Sequence, residues 1–501
     1  MASGAVDPRA VRAAEQQAAD KKAKAIYTGV AVLFVVATVF MLVFNSGMLQ
    51  RNKTAVTVDG TDYSVAETAF YYSNALQTTV QNMGGTTYAA YFGLDTTKPL
   101  KDQTASSTYT GAESDMTWDE YFKDQAVNSL KYIQGVLAKA KAENMTMEAE
   151  DNASLESSIQ AMKDQAAAGG YSYKAYLTAV FGQGMTPSLY EKLMADNILA
   201  NKYVTAYTEN LTYTDDEIQA YYEENKNSYD LVDGGYIIVD GNPEEKTDKD
   251  GNAVSPTHEE IEASMAAAEK IANDILADYK KGSTDLKALA EKYEAYSNYV
   301  SEEISFTPGI TGDWFFDENR KDGDTAILED MIDYRYYIAV FNSRSRDITP
   351  TYDVRHILVD STSVDAKDGE EVTTDMVAAR AQEILDSWDG TEAGFAALAE
   401  QHSTDEGSKT NGGLYEDVSK GEMVATFNSW CYEDGRQPGD TGIVASSYGQ
   451  HIMYFVGYGD TEHWYNSCKS AMASAATAAW QDELMASLTA EVQPGMDSVG
   501  N

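Results

Sequence analysis

Two histidines and one aspartate carry the chemistry this sequence offers. His356 sits in the apolar run Val354-Arg355-His356-Ile357-Leu358-Val359, His451 in Tyr448-Gly449-Gln450-His451-Ile452-Met453, and Asp405 closes the segment that starts at Phe395. Imidazoles titrate near neutrality and a carboxylate below it, so these are the groups whose charge can change near physiological pH. A lone histidine beside an apolar strand pattern is ordinarily a satisfied core group. His402 falls on the apolar face with Phe395 and Leu398 and reads as structural. Only five histidines are present, without an HExxH pattern or a close pair, which speaks against a metal centre. The two cysteines, Cys431 and Cys468, rule out a disulfide-rich scaffold and an all-cysteine metal site, and nothing in the sequence shows whether they pair. No metal or cofactor is expected.

Between the histidines lie Gly412-Gly413-Leu414 and Gly421-Glu422-Met423 with Phe427. From Tyr352 to Gly457 this order resembles a parvulin-type peptidyl-prolyl cis-trans isomerase. The resemblance implies His356, Asp405 and His451 as the polar catalytic set and Leu414, Met423 and Phe427 as the pocket for the proline ring, with Ser446 as a hydroxyl at its edge. Met423 and Phe427 are spaced to share a helix face. Rotation about an X-Pro bond faces a barrier of about 18–20 kcal/mol from amide resonance. An enzyme therefore has only to bind the twisted amide more tightly than the planar isomers. With Asp405 where other members carry Cys, a nucleophilic route loses support. The family's Gly-Asp-Leu-Gly becomes Gly412-Gly413-Leu414-Tyr415, which lacks the carboxylate and adds a bulky ring. No Lys or Arg cluster follows His356, so specificity for phosphorylated Ser-Pro or Thr-Pro has no support.

The elements that must position these residues occur twice. Tyr236-Ile237-Ile238-Val239-Asp240 parallels His356 to Asp360, each run followed by a polar loop, Gly241 to Thr257 and Ser361 to Thr374. A helical pattern over Ile261, Met265, Ala268, Ile271, Ile275 and Tyr279 matches one over Val377, Ala381, Ile384, Leu385 and Trp388. Leu286–Tyr293 parallels Phe395–His402, and Trp314 precedes Gly323-Asp324-Thr325 as Trp430 precedes Gly439-Asp440-Thr441. Under this alignment His356, Asp405 and His451 correspond to Tyr236, Tyr296 and Tyr337. The first copy therefore reads as degenerate, kept for shape or peptide binding.

Ile26 to Phe44 is uncharged and apolar, long enough to cross a hydrocarbon core, and preceded by Lys21, Lys22 and Lys24. The expectation is an uncleaved anchor with the body of the chain outside the cell; a cleaved signal peptide is the competing reading. A hairpin at Val56–Gly60, a capping box at Ser64–Glu67 and another at Thr214–Glu217 open helices, and an alanine-rich helical run spans about His463 to Val492, with Gln493–Asn501 frayed. The expected class is α+β: leader 1–25, membrane helix 26–44, helical chaperone-like domain 54–225, degenerate parvulin-like domain 226–346, parvulin domain 347–459 and C-terminal helix 460–495. This layout resembles the PrsA and SurA class of exported foldases, which implies unfolded or nascent secreted chains with X-Pro bonds as partners. The formal net charge of −43 argues against nucleic acid and anionic lipid headgroups. A holdase that only clamps peptides is the alternative. A surface adhesin would need long all-β repeats and Thr-rich stalks, which are absent.

Overall fold

The computed structural model describes residues 52–111, 116–249, 251–293, 297–301, 303–364 and 371–500. The expected membrane helix lies outside them, and among the described residues no helix is long and apolar enough to cross a membrane. The class is mixed α and β, in two units: one takes the chain to Leu211 together with Ala473–Asn501, the other Thr212–Met472.

In the first unit, strands Thr54–Val58 and Thr61–Ser64 form the expected hairpin, with Asp59 and Gly60 at φ of 43° and 78°. Paired positive φ values match the turn to the right-handed twist of the strands. Ser64 caps the helix Val65–Asn82 in a reciprocal box with Glu67. Longer helices Trp118–Ala142, Ala149–Ala168 and Pro187–Glu209 complete the unit, and Phe70, Trp118, Phe122, Leu130 and Leu193 are buried at its centre.

The C-terminal run departs from expectation. The helix ends at Ser487, and Ala490–Val492 is a strand paired antiparallel to Thr54–Val58, Val56 opposite Val492. The tail is not frayed: Gln493 and Gly495 donate to the carbonyls of Ala55 and Thr54, and Met496 and Val499 are buried. Pro494 cannot continue a helix, and the hairpin offers an unpaired strand edge for the segment to cover. Helix and tail close on Gly135, where a Cβ would stand 2.7 Å from Leu488.

The helix Asp215–Asn225 also departs, since it belongs to the second unit rather than to the helical domain. Its buried Ile218 and Tyr222 pack with Trp464 and Cys468. The Tyr222 hydroxyl donates to Asp230, and the Arg346 guanidinium lies 4.3 Å from the Tyr222 ring and 4.2 Å from that of Trp464. The two rings also meet edge-on at 5.2 Å, so one guanidinium sits over an aromatic corner that fixes the helix there.

The second unit holds two sheets built on one plan. In the first, strand Asp230–Asp240 runs between Ser297–Ser301 and Arg335–Arg346, with Thr325–Asp330 outside the latter. In the second, Pro350–Val359 runs between Leu414–Val418 and Gly449–Glu462, with Thr441–Ser446 outside. Each sheet is covered by a long and a short helix, His258–Lys280 with Leu286–Lys292 and Thr374–Asp386 with Glu392–His402. The copies share small fixtures as well. Arg320 lies 4.6 Å from the Trp314 ring and Arg436 3.7 Å from that of Trp430, and Gly323 and Gly439 donate to the equivalent carbonyls of Phe341 and Phe455. Pairing puts Tyr236 opposite Ala339 and His356 opposite Met453, the register that equates Tyr236 with His356 and Tyr337 with His451. Tyr296 lies outside the described residues.

Truncation after Ser487 is expected to cost the first unit at least about 3 kcal/mol, since it removes a strand and two buried side chains. Thermal melting of the full and truncated chains checks this, and identical melts would show the tail to be dispensable.

Candidate active site

Strand alternation builds the site. Side chains two apart on a strand share a face, and diagonal partners on neighbouring strands lie within reach. His356 pairs with Met453 and Leu358 with His451, so the two histidines are diagonal neighbours on one face of the second sheet. Their rings are stacked with centroids 5.4 Å apart, and the two Nδ1 atoms are 3.2 Å apart. Both residues are buried, at 4% and 6% exposure.

Asp405 reaches the pair from the loop after the helix Glu392–His402. That loop is stitched to the strand: Thr404 donates its N–H to the Leu358 carbonyl, while the Ser403 hydroxyl accepts from the N–H groups of Leu358 and Asp405. Asp405 Oδ2 then lies 2.8 Å from His356 Nε2 and accepts from the hydroxyls of Ser408 and, at 3.0 Å, Tyr415. At the other end the Ser446 hydroxyl is 2.7 Å from His451 Nε2 and accepts from the Tyr448 N–H.

These contacts fix the protons. Burial would push the Asp405 carboxyl up, but hydrogen bonds from His356, Ser408 and Tyr415 outweigh it and hold the group well below the usual carboxylate range. As an anion it takes the Nε2–H of His356. With a neutral His356 ring its Nδ1 is an acceptor, His451 donates its Nδ1–H, and His451 Nε2 accepts from Ser446. Burial, reinforced by the neighbouring His356, lowers the His451 imidazole to about 4. The array is thus one directed chain, Ser446 to His451 to His356 to Asp405.

Below the histidines lies an apolar cup. Phe427 is buried, with its ring edge-on to both imidazoles at 5.4 and 5.5 Å, and Tyr415, Met423, Val424 and Val444 pack on the same cluster. Met423 differs from expectation: the helix is Ala425–Cys431, with Val424 as its cap, so Met423 precedes it and meets Phe427 through packing rather than helical spacing. Leu414 stands opposite Arg355 in the strand, and alternation turns it away from the cluster that Tyr415 joins. His402 is half-buried at the end of its helix, 3.5 Å from Arg380, apart from the array.

Ser408 was invisible as a site residue in the sequence; its only signal is its place three residues after Asp405, where a turn returns its side chain. Tyr415 appeared only as a departure from the family motif, yet its hydroxyl binds Asp405 and its ring sits 5.5 Å from His356. The missing carboxylate of that motif has a local cause. Gly413 has φ of 74°, and a Cβ there would stand 2.2 Å from the His356 carbonyl, so no side chain fits. The cysteines are both free and buried in different clusters, and burial pushes the Cys431 thiol up to about 12. In the first copy Tyr236 and Tyr337 meet edge-on at 5.5 Å, aromatic packing in place of the imidazole pair.

Residues 339–456 match the PPIC-type PPIase domain and residues 17–204 the SurA-like N-terminal domain. The second copy is a parvulin-type peptidyl-prolyl isomerase domain. Foldase protein PrsA 1 of Listeria innocua is 37% identical over 107 residues, which cover 21% of this chain and 31% of that protein. The PrsA 1 of Listeria monocytogenes is 28% identical over 183 residues, covering 34% and 56%. The chain therefore spans between 31% and 56% of the lengths of these curated relatives. Among solved structures, the peptidylprolyl isomerase PrsA of Bacillus anthracis is 25% identical and covers 28% of this chain and 59% of its own, with a TM-score of 0.19. PrsA of Bacillus subtilis, 12% identical, covers 74% and 88% with a TM-score of 0.28.

The parvulin domain's proton arrangement is open to NMR. The His451 ring should titrate at about 4, with Nδ1 protonated above that pH, and His356 should carry its proton on Nε2. Since the folded value lies below the ordinary one near 6.5, neutral His451 contributes stability that is full above about 6.5 and is lost as pH falls toward about 4. A midpoint near 6.5, or the opposite tautomers, would refute the directed chain.

Proposed function

We propose that this chain is a membrane-anchored, extracytoplasmic foldase whose parvulin domain catalyses cis-trans exchange of X-Pro bonds in unfolded secreted polypeptides. The observation that supports it best is the buried array of His356, His451 and Asp405 facing the cup of Phe427, Met423 and Tyr415. The apolar segment 26–44 and the lysines before it support the anchor.

The mechanism consistent with this array is non-covalent. Asp405 spends one oxygen on three donors and would be a poor nucleophile, and Cys431 is a buried thiol with its pKa raised to about 12. Twisting the amide ends its resonance and restores a lone pair to the proline nitrogen. The cup holds the ring, while the hydrogen-bonded imidazole pair presents fixed dipoles that need no reorganisation as the amide twists. Ser446 and His451 stand at the polar edge, where the rotating carbonyl would lie. Under this reading the first copy, with Tyr236 and Tyr337, is a peptide-binding or spacing module without turnover. Its aromatic pair and the SurA-like N-terminal domain favour a holdase contribution alongside catalysis.

The decisive experiment converts the second copy's pair to that of the first: His356→Tyr with His451→Tyr in the full chain should abolish exchange in an Ala-Pro peptide, followed by NMR line shape or a protease-coupled assay. Persistent turnover in a folded double variant would move catalysis elsewhere. Tyr415→Phe should slow turnover about tenfold, because a hydrogen bond to a charged group is worth about 1.5–3 kcal/mol. An unchanged rate would reduce Tyr415 to a packing residue.

A further inference from the structure

A groove in the N-terminal unit has no part in the isomerase reading. It holds about 460 Å³, within the usual range of small-ligand sites, and its walls come from the helices Val65–Asn82, Trp118–Ala142 and Pro187–Glu209 with Tyr109 at the rim. None of its lining residues carries a formal charge, although 23% of the whole chain is Asp, Glu, Lys or Arg. Its surface consists instead of tyrosine rings, side-chain amides and hydroxyls, with Ala75 and Ile133 as the aliphatic exceptions.

The chemistry of that lining selects its ligand. A groove without charges has no ion-pairing partner for a phosphate, a carboxylate or an amine. Capture of an apolar side chain is favoured by an aliphatic socket, of which only Ala75 and Ile133 are present, and strand addition needs an unpaired strand edge, which helical walls do not offer. What remains is dense neutral hydrogen bonding beside flat aromatic faces. The hydroxyls of Tyr71 and Tyr132 accept amide N–H groups from Asn197, at 3.2 Å, and Gln481, at 3.1 Å. Each hydroxyl is thereby oriented with its own proton available to an incoming acceptor. Tyr109 and Tyr121 are held in place by the buried Trp118, with ring centroids 6.1 and 5.6 Å away.

We propose that this groove binds a neutral glycan, with pyranose C–H faces on the tyrosine rings and sugar hydroxyls or acetamido groups on Asn74, Asn201 and the oriented phenols. The site is separate from the isomerase array, so its failure would leave that reading intact.

The test is calorimetric titration of the full chain with a β-1,4-linked N-acetylglucosamine hexamer and with cellohexaose, in parallel with a permanently unfolded reduced protein. Saturable binding of at least one glycan at about 1 mM or tighter is expected, weakened about tenfold or more by Asn201→Ala combined with Tyr132→Phe, with prolyl exchange unchanged in the same variant. No saturation by either glycan, or equal binding by the variant, would overturn the proposal. Displacement of the glycan by the unfolded protein, with the same sensitivity to the two substitutions, would instead assign the groove to client polypeptide. Circular dichroism of the variant, and Asn201→Ala alone should the pair fail to fold, keep loss of binding distinct from loss of structure.

Discussion

A hydrogen bond between two buried imidazoles is the constraint around which the parvulin domain is arranged. Nδ1 of His356 and Nδ1 of His451 are 3.2 Å apart, so one ring donates and the other accepts, and the two Nδ1 atoms cannot both be protonated without disrupting the pair. A second positive charge at that distance in a buried setting would be strongly repelled. The neighbours occupy the two outer ring nitrogens of the pair. Asp405, held ionised by three donors, demands the Nε2 proton of His356, and Ser446 supplies a donor to His451. Even the loop glycines follow from this, because Gly413 passes so close to the His356 carbonyl that a side chain would push the strand away.

The first copy shows what the frame alone requires. It keeps the sheet order, the stacked Arg and Trp, and the glycine that bonds across to the strand of Phe341. What it lacks is the array. Tyr236 and Tyr337 fill the same two diagonal positions with aromatic contact, which needs no proton order and no ionised partner. The fold is therefore stable without the site, and the buried polar network of the second copy is not explained by stability. Buried polar networks are costly unless every member is satisfied, and here every contact between Ser446 and Asp405 is made.

How much of this the sequence disclosed depended on whether the cause was local. The capping boxes at Ser64 and Thr214, the Asp59-Gly60 turn and the helical faces of both copies rest on neighbours a few residues away, and they were legible. The repeat register was legible because it is periodic. Assignments that depended on distant partners were not. The segment after Ser487 carries helix-forming residues, but the hairpin edge near Val56 recruits it as a strand. The helix at Asp215 was grouped with its sequence neighbours, whereas its buried face belongs to Trp464 and Arg346, more than a hundred residues on. Met423 has the spacing of a helix partner to Phe427 yet precedes the helix, and Ser408 joined the site only through the turn that follows Asp405.

The distribution of charge ties the parts together. The chain is strongly acidic, yet the histidine pair is met by a single half-buried carboxylate and the N-terminal groove has none in its lining. Carboxylates spread over the remaining surface set up mutual repulsion between copies of the chain. A binding surface built on charge would select ligands of the opposite sign. Surfaces built on neutral donors, acceptors and aromatic faces avoid that discrimination, and their contacts are screened little by salt. The acidity thus sets how the molecule behaves among its neighbours, while the uncharged surfaces set what it can hold.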